Sequence, residues 1–592
     1  MSDETLVSRL LAHADHDPDR PLFIYLAESG AETGTLTRRD LAARSANLAA
    51  VLEQRVPASD NAQRLALLLF PTGPEFIVAY FACLMARIIA IPVPMPLPNR
   101  PLHGLDAIVE STRLGTALCA AANVETLGRA LAATPRLAQI ELLAIDALDA
   151  PAAAPRLPAT EDVAFLQFTS GSTGRPKGVV VSHANLIANQ RMITEGMALS
   201  ADSTFVNWLP HFHDMGLIGT LLQPVYSGSV CYVMSPATFA KRPIRWLSAI
   251  SGKPRAVGGS PNFGYDLCVS RIPEGQEAGL DLSGWDVAFT GAEPIHARTI
   301  DRFVERFAAV GFRRGAVYPC YGMSEVTLFA AGAAPGQGPV MRDLDRSALE
   351  HGTARPAAEG VYRAVSSGRL WPGQTIAIAD PDTGARLPEG QIGEIWTAGA
   401  HVAGGYWGQP EATAEAFGAR LAGEPDSPAF LRTGDFGFLS EGEVFVTGRR
   451  KEMMIVAGRN LYPHDLEEPA QLCHPDIRDT AVFAVDPDLA GERVVAVIEV
   501  EGESRQLLRN ADPAAPPPAG LAVLARAVRG AVGAAFDIAV AQVWLVLPGR
   551  IPKTTSGKTQ YGAIRRSFLD LPAAARSGEL ILQTGSESSQ MR

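Results

Sequence analysis

The most constraining stretch of this chain is Thr169-Ser170-Gly171-Ser172-Thr173-Gly174-Arg175-Pro176-Lys177-Gly178, placed directly after the apolar run VAFLQF at 163–168. A short apolar run bounded by turn residues reads as a buried strand. The small residues that follow let backbone N–H groups turn inward together. The hydroxyls of Thr169, Ser170, Ser172 and Thr173 add donors, and Lys177 adds positive charge. A strand ending in such a loop cradles a polyphosphate. It is not a Walker A loop, because Pro176 precedes the lysine where that motif has glycine, and Gly178 follows where it has Ser or Thr.

Such a loop has to be carried by packed layers. Helical and strand-like patterns alternate through roughly the first 450 residues, which predicts an α/β fold of layered subdomains. Residues 74–85 read as an amphipathic helix feeding a strand at 88–93, 111–120 and 125–133 as flanking helices, and 150–158 (APAAAPRLP) as a surface linker. From about residue 366 to 449, short β-like runs with turn signals predict a small β-barrel-like subdomain. After Gly448-Arg449-Arg450-Lys451 a new strand, a turn and a helix starting near Pro463 mark a smaller α+β domain over 450–575. Within it, the Pro- and Ala-rich stretch 503–520 reads as a flexible insertion, and 576–592 as a flexible tail.

Composition closes off several function classes. Hydrophobic residues at 47% against 19% charged supply large cores and exclude a disordered chain. The net charge of −11 argues against general affinity for nucleic acid or anionic membranes. The longest apolar stretch, 76–98, is interrupted by Arg87 and broken by Pro92, Pro94, Pro96 and Pro98, so no integral membrane association is expected. Six scattered cysteines without a CxxC pair, and an acidic N-terminus lacking an apolar segment, fit a cytoplasmic protein.

Five further motifs follow the loop: Gly291-Ala292-Glu293-Pro294, Tyr321-Gly322-Met323-Ser324-Glu325, Thr433-Gly434-Asp435, Gly448-Arg449-Arg450-Lys451-Glu452, and Pro552-Lys553-Thr554-Thr555-Ser556-Gly557-Lys558. Together with the loop, in this order, they resemble the adenylate-forming superfamily of acyl-CoA synthetases, luciferases and peptide-synthetase adenylation domains. The resemblance implies an AMP-binding body over 1–449, a C-terminal lid, and ATP and Mg²⁺ as cofactors. In that chemistry a carboxylate attacks the α-phosphorus of ATP, so donors and cations must stand where charge builds up. Loop 169–178 holds the β- and γ-phosphates. Gly291, Ala292 and Glu293 flank the adenine, and Tyr321, in its Gly322-Met323-Ser324 setting, offers a stacking face. Asp435 and Arg449 hold the ribose, Glu325 is a hard oxygen ligand for Mg²⁺, Lys451 marks the hinge, and Lys558 brings a point charge to the reacting centre.

The segments Asn207-Trp208-Leu209-Pro210-His211-Phe212-His213-Asp214-Met215-Gly216 and Gly258-Gly259-Ser260-Pro261-Asn262-Phe263-Gly264-Tyr265-Asp266-Leu267-Cys268 resemble the fatty acyl-AMP ligase branch, as do Val402…Gly405-Tyr406-Trp407 and Gly458-Arg459-Asn460-Leu461-Tyr462-Pro463. That branch carries an inserted segment after its Tyr-Gly-Met motif, which hinders the second conformation and use of CoA. Residues 338–365, polar and helix-capable, occupy that place. The branch implies a fatty acid substrate whose tail is lined by Trp208, Met215, Phe263 and Tyr265, with Asp214 nearby, and a holo acyl carrier protein as acceptor in trans. The runner-up acceptor is CoA. His213 has two readings, as a catalytic group over the acyl carboxylate or as a hydrogen-bonded structural histidine; His183 reads as structural. One departure is Tyr561, where the family often has arginine three residues after the catalytic lysine.

Overall fold

The computed structural model describes residues 3–58, 63–96, 102–169, 176–358, 361–456, 458–485, 493–512, 516–554, 557–571, 576 and 579–583. Two large sheets form the body. In one, strands run in the order 141–144, 116–119, 64–69, 88–92, 163–169, 177–182; all neighbours are parallel except the last pair. In the other the order is 329–332, 317–322, 285–290, 256–259, 204–207, 230–233, 21–26, 32–37, parallel throughout with one antiparallel strand at each edge. Parallel strands are covered on both faces, so their sequences are continuous apolar runs such as RLALLL at Arg64–Leu69. The helix Pro74–Met85 packs into the same core, and every residue from Phe76 to Met85 is buried. The amphipathic expectation for it is therefore corrected: there is no solvent face to keep polar.

Two local expectations also change. Residues 111–120 are the end of a helix, His103–Thr112, and a buried strand, Thr116–Cys119, whose β-branched start and neighbours on both sides override the helical pattern. The stretch 503–520 contains the ordered helix Gly502–Asn510 and the start of the long helix Ala519–Phe536; the buried Ser504 and Leu508 give the first of these a packed face.

After the body comes an antiparallel sheet in the order 374–379, 393–399, 431–440, 443–449. Residues 338–365 are mainly a hairpin, Met341–Asp345 paired with Val361–Val365, and among its described residues only Arg346–Glu350 is helical. This hairpin reaches the C-terminal region. Arg346 Nη1 donates to the Ala535 carbonyl at 2.7 Å, its guanidinium lies 4.5 Å from the Phe536 ring centroid, and Glu350 pairs with Arg459 at 3.4 Å. Ala535 and Phe536 close the helix Ala519–Phe536, where unsatisfied carbonyls favour cationic donors.

The C-terminal region has cores of its own. A sheet in the order 477–485, 493–500, 540–546, 580–582 packs Leu466, Leu521, Leu524 and Val528 on one face, and Ile564 and Phe568 beside Trp544 on the other. Among the described residues one helix, Ala519–Phe536, is long and apolar enough to cross a membrane; Leu521, Leu524, Ala525, Val528, Val532 and Phe536 bury one side of it in this core.

Candidate active site

The candidate site lies where the ends of the parallel strands, the antiparallel sheet and the C-terminal region meet. Thr169 closes the strand Val163–Thr169, and Lys177 opens its antiparallel partner, paired directly with it. Ser170, Gly171, Ser172, Thr173 and Gly174 lie outside the described residues. The far side of this hairpin is held by 404–407: Val180 donates to the Gly405 carbonyl (2.9 Å), Gly404 to Val180 (2.9 Å) and Trp407 to Gly178 (2.7 Å). That pairing sets the Tyr406 ring 4.4 Å from Lys177 Nζ. The Tyr406 hydroxyl donates to Glu325 Oε1 at 2.9 Å. Tyr406 therefore joins the phosphate-loop lysine to the carboxylate read as the metal ligand. Sequence reasoning gave it no role, although Gly405-Tyr406-Trp407 stood out as a motif.

Glu325 sits in a short 3₁₀ turn, Ser324–Val326, and is 8% exposed. Burial is the main cause that raises its carboxyl above the ordinary range. The turn is tightly wound. Gly322 before it has the Leu328 carbonyl oxygen only 1.6 Å from where a Cβ would stand, and Thr327 after it has φ +69, a strained value for a β-branched residue. Ser324 Oγ donates to Asp214 Oδ2 at 2.7 Å, which ties this turn to the start of the helix Asp214–Leu217.

Asp435 and Arg449 are cross-strand partners in the antiparallel sheet, so their pairing follows from register. Arg449 Nε lies 2.9 Å from Asp435 Oδ1, and the Tyr321 hydroxyl donates to Asp435 Oδ2 at 2.8 Å. Tyr321 is buried in a cluster with Val326, Ala330 and Ile376, against which Met323 packs. Burial, with Asp435 beside it, pushes its hydroxyl well above its ordinary range, so it is a neutral donor. Gly291 follows the strand Trp285–Thr290, and Ala292 adopts the left-handed value φ +71. Asn262 bolts the adjoining loop: its Nδ2 donates to Glu293 Oε1 (3.1 Å) and to the Pro294 carbonyl (2.8 Å), while its Oδ1 accepts from the His296 N–H (3.1 Å).

The residues expected to line the tail divide into two groups. Trp208 (3% exposed) stacks on Phe239 at 3.8 Å, and Tyr265 (5% exposed) donates to the Phe289 carbonyl and packs on Phe303 at 4.9 Å. Both belong to a continuous aromatic core. Met215 is partly buried, whereas Phe263 is 40% exposed and meets Trp208 edge-on at 5.8 Å. Against Phe263 sits the C-terminal loop, with the Cβ position of Gly557 3.3 Å from the Phe263 ring.

That contact brings the lysine loop onto the body. Lys558 is close enough to His213 to lower its pKa; burial is the larger cause, Asp214 opposes it, and the net shift leaves a neutral imidazole at pH 7. Lys558 also acts on Glu452, whose carboxyl burial raises and Arg449 lowers. Glu452 and Lys451 lie in the turn Arg450–Glu452, directly after the last strand of the antiparallel sheet. Asp435, Arg449, Glu452 and Lys558 thus form one electrostatic group across the junction.

Residues 10–407 match the family described as AMP-binding enzyme. The chain belongs to that family, in its fatty acyl-AMP ligase branch. It is 37% identical over 581 residues to the medium-chain-fatty-acid–[acyl-carrier-protein] ligase JamA of Moorena producens, covering 96% of this chain and 95% of that one. It is 36% identical over 584 residues to the long-chain-fatty-acid–AMP ligase FadD26 of Mycobacterium marinum, covering 95% and 97%. Among solved structures it is similar to a fatty acyl-adenylate ligase from L. pneumophila in complex with acyl adenylate and pyrophosphate, at 34% identity and TM-score 0.72, covering 96% of each chain. As an adenylating ligase of this branch it has a large α/β body and a smaller C-terminal region, and ATP is its nucleotide.

Proposed function

We propose that this enzyme joins a medium- or long-chain fatty acid to the AMP moiety of ATP, releases pyrophosphate, and passes the acyl group to the phosphopantetheine thiol of a carrier protein in trans. The observation that carries the reading is the convergence of Lys177, Glu325, Asp435, Arg449 and Lys558 on one junction in a chain of this branch. In the first step a fatty carboxylate oxygen bonds to the α-phosphorus and the bond to pyrophosphate breaks. Two anions approach each other, so Lys558 works as a point charge on the acyl and α-phosphate oxygens. Lys177 and the loop from Thr169 hold the leaving phosphates. Asp435 exchanges the Tyr321 and Arg449 donors it holds here for ribose hydroxyls, and Arg449 adds its own.

The donor set fits Mg²⁺: one buried carboxylate, Glu325, with Oε1 held by Tyr406, and, among the described residues, no group of three or more His, Cys, Asp or Glu that would make a protein-only cage. When bound, the ion would neutralise charge on the phosphates. Neutral His213 orients the acyl carboxylate by hydrogen bonding. Phe263 and Met215 line the mouth for the tail, each buried CH₂ contributing about 0.8 kcal/mol, and Lys451 is the hinge that lets the lid leave for the carrier. In the second step the thiol sulfur attacks the acyl carbonyl carbon, AMP departs and the thiol proton passes to solvent. Six free cysteines fit work in a reducing, cytoplasmic setting.

Fatty acid-dependent pyrophosphate release, with acyl-AMP identified by mass, tests the first step. Lys558→Ala should lower the rate by at least roughly a hundredfold while ATP still binds; full activity in that variant would overturn the lysine's role.

A further inference from the structure

The lysine loop stands on two feet, and each is fixed to a different element of the C-terminal region. Lys553 forms an isolated bridge with Thr559, Gln560 N donates to the Pro552 carbonyl (2.8 Å), Thr554 N donates to the Lys558 carbonyl (2.8 Å), and Lys558 N donates to Thr554 Oγ1 (3.1 Å). These bonds close the loop on itself but do not aim it. The first foot, Lys553, pairs with Asp479 on the strand Ile477–Val485 at 2.5 Å. The second foot is Tyr561, the first residue of the helix Tyr561–Leu569. Its hydroxyl lies 2.9 and 3.0 Å from the two oxygens of Glu467, on the helix Pro463–Leu472. Glu467 in turn accepts from the Val482 N–H at 2.9 Å, so the strand, the helix and the loop share one carboxyl group.

We propose that Tyr561, held by Glu467, is a positioning residue that fixes where Lys558 sits in the adenylation step. The proposal rests on the role given to Lys558 above. Lys558 and Tyr561 are separated by Thr559 and Gln560 alone, and the loop meets the body at Phe263 through Gly557. A swing about the second foot therefore transmits directly to the amine. Burial, and the acidic side chains of Glu467, Glu452 and Glu293, push the Tyr561 hydroxyl well above its ordinary range, so it remains a neutral donor. The neighbouring backbone bonds, from Ala563 N and Ile564 N to the Gln560 carbonyl, belong to the helix itself and do not tie it to Pro463–Leu472.

Tyr561→Phe removes one oxygen and keeps the ring. The expected result is a fall of roughly ten- to a hundredfold in kcat for fatty acid-dependent pyrophosphate release, as displacement of a catalytic group by about 1 Å produces, with KM for ATP and for fatty acid within about twofold. Glu467→Gln, whose amide oxygen still accepts, should retain most of the wild-type kcat. Glu467→Met, of similar length without an acceptor, should match Tyr561→Phe, and the double variant Tyr561→Phe/Glu467→Met should be no slower than either, because both act through one bond. Lys558→Ala is assayed alongside. If it is inactive while Tyr561→Phe keeps wild-type kcat, the positioning proposal is overturned and the lysine's role stands; if Lys558→Ala is itself active, the lysine assignment falls and the proposal with it. A rise in KM at constant kcat in Tyr561→Phe, or strict additivity in the double variant, would also contradict it.

Discussion

In the proposed reaction, Tyr406 takes part without chemistry of its own. Its hydroxyl fixes one oxygen of Glu325, and its ring lies beside the Lys177 amine, so cation and carboxylate are placed by the same side chain. A hydrogen bond to a charged group contributes about 1.5–3 kcal/mol. Tyr406→Phe is accordingly expected to raise the half-saturating Mg²⁺ concentration by roughly tenfold, read from pyrophosphate release against Mg²⁺ and independently from Mn²⁺ binding by electron paramagnetic resonance. An unchanged metal affinity would show that Glu325 needs no such support. The residues proposed to react stand out in the sequence because the proposed chemistry demands particular types in a fixed order: an acid at 325, an acid and an arginine at 435 and 449, a lysine at 558. Tyr406 and Asn262 do not, because their roles depend on a backbone pairing between 178–180 and 404–407 and on a loop approach at 293–296, neither of which leaves a local signal.

At the scale of elements, two of the three acids on the helix Pro463–Leu472, Asp465 and Glu467, are shifted by burial. Burial pushes Asp465 up to about 6 and Glu467 up to about 8. For a carboxyl raised this way the folded state keeps a proton that the unfolded chain has lost. The stability it contributes is therefore fully present below pH 4.5, Glu467's ordinary value, and is lost as pH rises through about 8. Asp465 acts with the same sign in a lower window, from 3.8 to about 6. Glu467→Gln cannot ionise, so the fall in Tm between pH 5 and pH 8 should be smaller than in the wild type by a few degrees, measured by calorimetry at both values; equal falls would mean that Glu467 has no such shift. Element-level reading from sequence succeeded where periodicity and length agreed, as at Val163–Thr169 and Pro463–Leu472, and failed where tertiary packing set the outcome. The strand Thr116–Cys119 is made by its two neighbours, and the all-apolar helix Pro74–Met85 by a core that surrounds it. The hairpin at 341–365 escaped for a similar reason, since its two arms are far apart in sequence and pair only across the short helix Arg346–Glu350.

The molecule as a whole is arranged around a junction. The body supplies the loop from Thr169, Glu325 and the Asp435–Arg449 pair; the C-terminal region supplies Lys558; and the hairpin at 341–365 grips the end of the helix Ala519–Phe536 through Arg346, with Glu350 reaching Arg459. Two arginines from opposite sides of the junction meet the carbonyls that end this helix, Arg346 at Ala535 and Arg459 at Phe536. Such a grip favours the observed arrangement, in which the lysine loop meets the body and which the proposed function assigns to adenylate formation. If the C-terminal region turns toward the thiol in the second step, as the proposed hinge at Lys451 would allow, it has to break this grip; a carrier that binds the surface of both parts can offset that cost, whereas a small diffusing thiol has less surface with which to do so. The choice of acceptor is thus the property that tests the whole account. Purified enzyme, ATP, Mg²⁺ and a fatty acid should be supplied with either a holo acyl carrier protein or CoA, and the acyl thioesters measured by mass. The account predicts acyl-carrier as the product, with acyl-AMP accumulating when only CoA is present; rapid turnover to acyl-CoA would contradict it.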